Sequence, residues 1–435
     1  MAQQGSDNSS SDEDNEGHAM MTATYMSYQS LMLASQGECK KTHGGTSSRR
    51  NTVNRDRVGA HNRLMNDYFV ERPLYSSDIF RTRFRMRPEL FKRIMNGIMQ
   101  YDNYFTQTRD ASGKQGFSPY VKMTAALRML AYRYPADAND DYLKIAKTTS
   151  SDAMKYFCRA VNAVYGDEYL RRPNNADMVR LLRKTEQRGF PGMLRSVDCM
   201  HWEWKNCPTA WAGTFSGHRG HPTIILEAVA LYDTWIWHSY FGPPGACNDL
   251  NVLYSSPIFN DVLEGLASNI QFTLNGREYH QGYYLADGIY PRWSTIVQAI
   301  PDLQGRDKQL FTRMQEAYRK DVERTFGILQ SRFEIIKGPC RLWHGQQIGE
   351  LMKCCIILHN MIVEDNRNEE GDDFVDDPSR YNVVEEPAVL NRDPITITQY
   401  LSNRAGVRDT TRYYMLRNDL VEHVWKEYLN GNLNV

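Results

Sequence analysis

Near Lys184 the periodicity of the apolar residues changes, and that change constrains the fold more than any other feature of the chain. Before it, from about Ser76 to Tyr165, apolar side chains recur at helical spacing, interrupted by a Gly/Ser/Gln-containing loop near 110–118. After it, Met193 to Lys205, Thr223 to Asp233 and Thr234 to Phe241 read as strands, the last two joined as a hairpin at Asp233-Thr234. A short helix is expected around Asp249 to Leu263, a further strand at Tyr279 to Ala286, and a long helix from about Lys308 to Phe333. The fold class is therefore α/β, a mixed sheet flanked by helices and preceded by an all-α domain.

The second part runs strand, strand, strand, helix, strand, helix, with Asp198 in the first strand, Asp287 ending the fourth and Glu323 on the closing helix. That order is the ribonuclease H-like (RNase H-like) arrangement. Its first and fourth strands lie side by side, so Asp198 and Asp287 can converge across 88 intervening residues, and the closing helix points a third carboxylate at them.

Three gathered carboxylates repel one another unless cations neutralise them. Hard divalent ions want oxygen ligands, and two Mg²⁺ or Mn²⁺ ions roughly 4 Å apart activate water and stabilise the leaving oxygen of a phosphodiester. Asp198 would bridge both ions, Asp287 would hold one and Glu323 the other. The freed 3′-hydroxyl could then join a second DNA. Asp198 sits between Val197 and Cys199 in an apolar strand, where an unpartnered charge is costly. Asp287 precedes Gly288, a common turn pair, and Glu323 could simply pair with Arg319 on the helix surface. The 35 residues between Asp287 and Glu323 resemble the interval between the last aspartate and the glutamate of many transposases and retroviral integrases, and that resemblance supports all three acids together. Asp249, in GPPGACNDLNVL, competes as an alternative or auxiliary acid with 73 residues between it and Glu323, and is preferred as a helix N-cap. Arg313, Arg319, Lys320, Arg324 and Arg332 crowd the closing helix, as beside a phosphate backbone.

Four segments follow. Residues 1–70 form a disordered arm, acidic over 1–20 and basic from Lys40 to Arg63, suited to nuclear import or to lying along phosphates. Residues 71–180 are a helical, helix-turn-helix-like DNA-binding domain. In it Met123 to Tyr134, Asp140 to Lys147 and Ser151 to Tyr165 are the three helices and Thr148 to Ser150 the turn, with Asn139 or Asp140 and Ser150 or Ser151 as caps. Lys155 and Arg159, four apart on the third helix, would face a DNA groove. Residues 181–365 hold the nuclease core, and 366–435 an acidic linker and a C-terminal helix. Lysine plus arginine and aspartate plus glutamate both number 52, so any basic surface is local.

The eight cysteines lack regular spacing and read as reduced thiols, with Cys199, His201 and Cys207 matching no usual zinc site. No apolar run suggests a membrane span and no stretch reads as a signal peptide, so a nuclear location with a cytoplasmic pool is expected. Trp202, Trp204 and Trp211 are expected to pack on the sheet edge, and His359, beside Asn360, to be a hydrogen-bonded core residue.

SVDCMHWEWKNCPTAW, GPPGACNDLNVLYSSPIF, YYLADGIYP, VERTFGILQSRFEII and CCIILHNMIVED resemble the plant PIF/Harbinger (Pong-like) transposases, whose wider group includes the harbinger transposase-derived nuclease, within the DDE superfamily. The resemblance spans roughly residues 75–430. It implies cut-and-paste excision by a DDE nuclease acting on terminal inverted repeats and inserting into short TA-rich targets. It also implies a separately encoded Myb-like DNA-binding partner, and carries the three acids onto Asp198, Asp287 and Glu323. A homo-oligomer on DNA is expected of such enzymes. The alternative is a domesticated, catalytically silent relative that serves as a chromatin-associated or scaffolding module.

Overall fold

The computed structural model describes residues 53–433, apart from 110, 112, 266–269, 303 and 371–395, and apart from the side chains of 369 and 370. The expected acidic tail, the basic stretch up to Arg50 and most of the acidic linker lie outside the described residues. The chain divides into two compact units built from interleaved segments. The first takes the described part of Met1–Asp167 with Trp202–Thr223 and Gln330–Leu358, and the second Glu168–His201, Ile224–Leu329 and the described part of His359–Val435.

In the first unit the helices begin where sequence chemistry dictates. α1 (Arg57–Tyr68) is capped by Asp56, α2 (Ser77–Phe84) by Ser76, and α4 (Pro119–Tyr132) by Ser118 with proline in its first turn. α3 (Pro88–Tyr101) buries Leu90, Phe91, Ile94, Met95 and Ile98 along one stripe. Arg55, Arg57 and Arg63, expected in a disordered arm, are instead docked. Arg55 meets Asp140 at 2.6 Å, Arg57 lies over the Phe117 ring and Arg63 over that of Tyr142.

The three-helix outline is present with a different turn. α5 is short (Asn139–Leu143), Lys144 turns the chain in the left-handed region (φ 51°), and α6 (Lys147–Tyr169) already contains Thr148, Thr149 and Ser150. Asn139, Asp140, Ser150 and Ser151 are therefore not the caps. Asn139 is buried, and its amide donates to the Ala125 carbonyl and, at 2.8 Å, to the buried Ser150 hydroxyl. That inward pair takes up the Ser150 hydroxyl as an acceptor and turns the Asn139 amide into the core.

The second unit holds a five-stranded mixed sheet in the order β3-β2-β1-β6-β7. Its strands are β1 (Met193–Glu203), β2 (Thr223–Ala230), β3 (His238–Pro244), β6 (Tyr283–Leu285) and β7 (Ile296–Val297). β2 and β3 pair antiparallel, as the Asp233-Thr234 corner suggests, while β6 runs parallel to both β1 and β7. The first and fourth major strands are thus neighbours, as expected. The span Tyr279 to Ala286 is not one strand. Arg277–Tyr279 (β5) closes an antiparallel ribbon with Phe272–Leu274 (β4), turned at Asn275-Gly276 with both φ positive. β6 begins only after Gly282, where a Cβ would stand 2.7 Å from Leu194.

Val197, Val229, Leu253, Ile258, Phe259, Ala286, Tyr290 and Ile296 form a buried cluster against the sheet. Leu253 belongs to α9 (Asp249–Ser255), and α10 (Asn260–Leu263) follows a 3₁₀ turn at Pro257–Phe259. The second unit also holds α7 (Asn175–Gln187), most of α11 (Arg306–Arg332), the part of α13 (Gly345–Glu370) from His359 on, α14 (Ile397–Val407) and α15 (Thr410–Leu429); α8 (Thr209–Phe215), α12 (Glu334–Lys337) and the first part of α13 belong to the first unit. No helix among the described residues is long and apolar enough to cross a membrane.

Candidate active site

β1 and β6 are in register at Ser196 and Leu285. Two residues further along each chain stand Asp198 and Asp287. Side chains alternate across a strand, so Ser196 and Asp198 share the face under α11, where the Ser196 hydroxyl donates to the Tyr318 carbonyl at 3.0 Å. α11 is tied to the other strands by Gln315, which is wholly buried and donates from one amide nitrogen to the carbonyls of Ala286 and Val297, each at 3.0 Å. The carbonyl before Asp287 is thereby fixed to the helix that carries Glu323. Six residues further along, between Gln315 and Glu323, the helix is held again by Arg188, 2.5 Å from the buried Asp321.

Arg319 stands between the acids of strand and helix. Its guanidinium is 2.8 Å from Glu323, one turn on, and 3.5 Å from Asp198. The surface pair read from the spacing exists, and it also reaches inward. Asp198 has a side chain only 16% exposed and accepts from the Cys199 backbone N–H at 2.8 Å. Burial pushes its carboxyl up to about 6; the Cys199 N–H and Arg319 pull it down, and the charges of Asp249 and Glu323 push it further up.

Asp249 belongs to this neighbourhood. The expected N-cap role falls instead to Asn248, whose side chain accepts from the Asn251 N–H, and Asp249 is the first residue of α9. An asparagine one position earlier offers the same oxygen, which leaves the aspartate free to turn elsewhere. Burial raises the Asp249 carboxyl, the Cys199 thiol donates to it and lowers it, and the charges of Asp287 and Glu227 raise it again. The Cys199 thiol is itself pushed far up by burial and by Glu227 and Asp249, so it remains a proton donor. Its sulfur is 3.8 Å from the buried Tyr290 hydroxyl. Asp287 is exposed and accepts from the Gly288 N–H at 2.6 Å.

The acids thus form an electrostatic chain, Glu323 and Asp249 acting on Asp198 and Asp287 on Asp249. Among the described residues no three His, Cys, Asp or Glu side chains converge closely enough to hold a metal ion. The resident cation between two of the acids is Arg319. Carboxylate oxygens are the ligands that hard divalent ions take, and Asp198 is the acid whose ionisation burial disfavours most here.

Of the basic residues singled out from the sequence, Arg324 is turned towards Asp321 (3.3 Å) and the Tyr232 carbonyl (2.6 Å), while Lys320 is exposed. In the first unit Arg159 pairs with Glu350 at 3.1 Å and Lys155 is partly buried. Trp202 and Trp204 are buried, donating to the Gly338 and Leu342 carbonyls, and Trp211 packs on Trp204. His359 bonds the Thr234 carbonyl at 2.8 Å and Asn360 holds both backbone groups of Ile236, a core role for both. Gln315 was missed by sequence reasoning. Its signal is a polar residue on the apolar stripe of a long helix. Cys199 was weighed only as a zinc ligand.

No curated protein and no solved structure matches the chain. Residues 61–99 match a domain of unknown function. Residues 167–370, which contain all four acids, match the family model described as plant transposon protein, and over that span the chain is transposon-related.

Proposed function

We propose that the chain is a metal-dependent DNA endonuclease, a DDE transposase of the PIF/Harbinger type with an RNase H-like core, and that Asp198, Asp287 and Glu323 hold two divalent ions, Mg²⁺ or Mn²⁺. The observation that carries the reading is Asp198, a largely buried carboxyl with its pKa near 6, on the strand beside the one that ends at Asp287 and under the helix that bears Glu323. When bound, such ions activate the nucleophile and stabilise the leaving oxygen. Ionised Asp198 contributes charge to both ion positions. Arg319 pairs with Glu323 and partly offsets the charge of Asp198, and its planar fork would suit a phosphate oxygen if ions were bound by the acids. Lys320, with Lys155 and Arg159 of the first unit, supplies contacts to the DNA backbone, and Arg324 steadies the helix through Asp321. A homo-oligomer acting on terminal inverted repeats and a TA-rich target, a Myb-like partner and a nuclear location with a cytoplasmic pool complete the proposal.

The test is cleavage of DNA carrying the terminal repeats, in Mg²⁺ or Mn²⁺ and with the Myb-like partner. Asp198→Asn, Asp287→Asn and Glu323→Gln should each abolish cutting. Cutting retained in the last two but lost in Asp249→Asn would move the second acid to Asp249.

The arrangement of Arg319 favours a second reading, a domesticated scaffold in which the guanidinium permanently replaces the ions. A calorimetric titration that finds no binding of Mn²⁺ by the intact chain would select it.

A further inference from the structure

The second unit contains a cavity of about 790 Å³ lined by β1, β5, β6, α7, α14 and α15 residues, and none of the four acids lines it. Arg195 of β1 lies in its wall. Along the strand its side chain falls on the face opposite Asp198.

Arg195 is unusual in its solitude. It is 6% exposed, and among the described residues its Nε has no hydrogen-bond partner and the one hydrogen bond from its guanidinium runs 3.6 Å to the Met178 sulfur. Its cationic carbon lies 5.0 Å from the centre of the Trp237 ring. The carboxylates whose charge reaches it, Asp233 and Asp177, are held by other arginines: Asp233 by Arg180 and Arg367, Asp177 by Arg171. Arg180 opposes it, and burial lowers it below the usual arginine range. A guanidinium has five donors, and a buried cation without an anion is strongly disfavoured.

The rest of the lining supplies what Arg195 lacks. Arg172, Arg277 and Arg412 also face the cavity, so that four arginines stand against two carboxylates, Asp261 and Glu278. Each of the three is bound to one carboxylate and is otherwise substantially exposed, which leaves donors free. Tyr279, Tyr284 and Leu194 provide apolar and aromatic wall.

We infer that this cavity is a binding site for a phosphate-bearing ligand of nucleotide size, its phosphate seated on Arg195. Arginine matches phosphate geometry with paired donors, and the depth of Arg195 requires a ligand that enters the cavity rather than a duplex backbone lying across its mouth. The phosphate belongs either to a free nucleotide or to a nucleotide extruded from DNA.

The test is calorimetry on the full chain in EDTA, with pyrophosphate, AMP and a short oligothymidylate as probes. Pyrophosphate and AMP should bind saturably, and Arg195→Met should weaken both by about tenfold or more, the value of a charge-assisted hydrogen bond. Arg195→Lys should recover part of the loss. Oligothymidylate that competes with AMP identifies the extruded nucleotide, and oligothymidylate that does not identifies the free one; both support the site. No saturable binding of pyrophosphate or AMP, or equal binding by a folded Arg195→Met variant, overturns it. Should Arg195→Met fail to fold, the rim variant Arg172→Ala/Arg412→Ala decides, with several-fold weakening in support and unchanged binding against.

Discussion

Replacing Asp198 with asparagine should make the metal-free protein more stable at neutral pH. The folded-state carboxyl titrates at about 6, against an ordinary value of 3.8. Between those values the folded chain binds more protons at this position than the unfolded chain, so stability falls as pH rises. The sign is opposite to that of a salt-bridged aspartate. The difference is roughly two units, and each unit is worth about 1.4 kcal/mol, so ionisation of Asp198 costs up to about 3 kcal/mol once the pH is well above 6. Its side chain is only 16% exposed, so little of that is lost to solvent screening. The assay is urea unfolding in EDTA from pH 4 to pH 8, parent against Asp198→Asn. The two should coincide near pH 4, and the variant should gain through the window from about 4 to 6 and hold its advantage above it. An equal pH slope in the two proteins, or a variant less stable than the parent at pH 8, would refute the reasoning, since both require that the carboxylate is welcome where it sits.

Arg319→Met should tighten Mn²⁺ binding in isothermal calorimetry, because it removes the cation that competes for Asp198 and Glu323; weaker binding would show that the guanidinium organises the acids instead. Gln315→Leu takes the side-chain donor from the Ala286 carbonyl, while the Val297 carbonyl keeps the Ala286 N–H, and should cost about 1–3 kcal/mol in urea unfolding, the value of one orphaned group. A loss under 1 kcal/mol would contradict the clamp. Asn360→Leu, which strips three backbone partners, Ile236 N–H, Ile236 C=O and Tyr169 C=O, should destabilise by at least that amount or fail to fold.

The adjacency of β1 and β6 was legible because the order of strands and helices resembles the ribonuclease H-like arrangement, in which the first and fourth strands are neighbours. The place of Asp249 was less so. Asp249 looked like a cap because aspartate caps helices, yet Asn248 does that work, and nothing local tells two adjacent Asx residues apart. The span Tyr279 to Ala286 was read as one strand although Asn275-Gly276 announces a two-residue turn just before it; apolar content outweighed turn chemistry. Thr148 to Ser150 were placed in a turn by composition, whereas the buried pairing of Asn139 with Ser150 draws them into α6. Pattern marks Gln315 only as a polar residue on an apolar stripe, and it does not mark Arg195 at all. What marks each is a tertiary neighbour, or the lack of one.

Gln315, Arg319 and Glu323 recur every four residues along α11, so clamp, cation and acid ride on one rigid rod. From Arg306 to Glu323 that rod advances about 26 Å at 1.5 Å per residue. A single-residue insertion between Gln315 and Glu323 would swing the acid by about 100° around the helix axis. Length changes in this part of the gene are therefore tolerable only upstream of Arg306, in the connection between β7 and the helix. The interval separating the last two acids is long, yet nearly half of it is counted out in helical turns that cannot stretch.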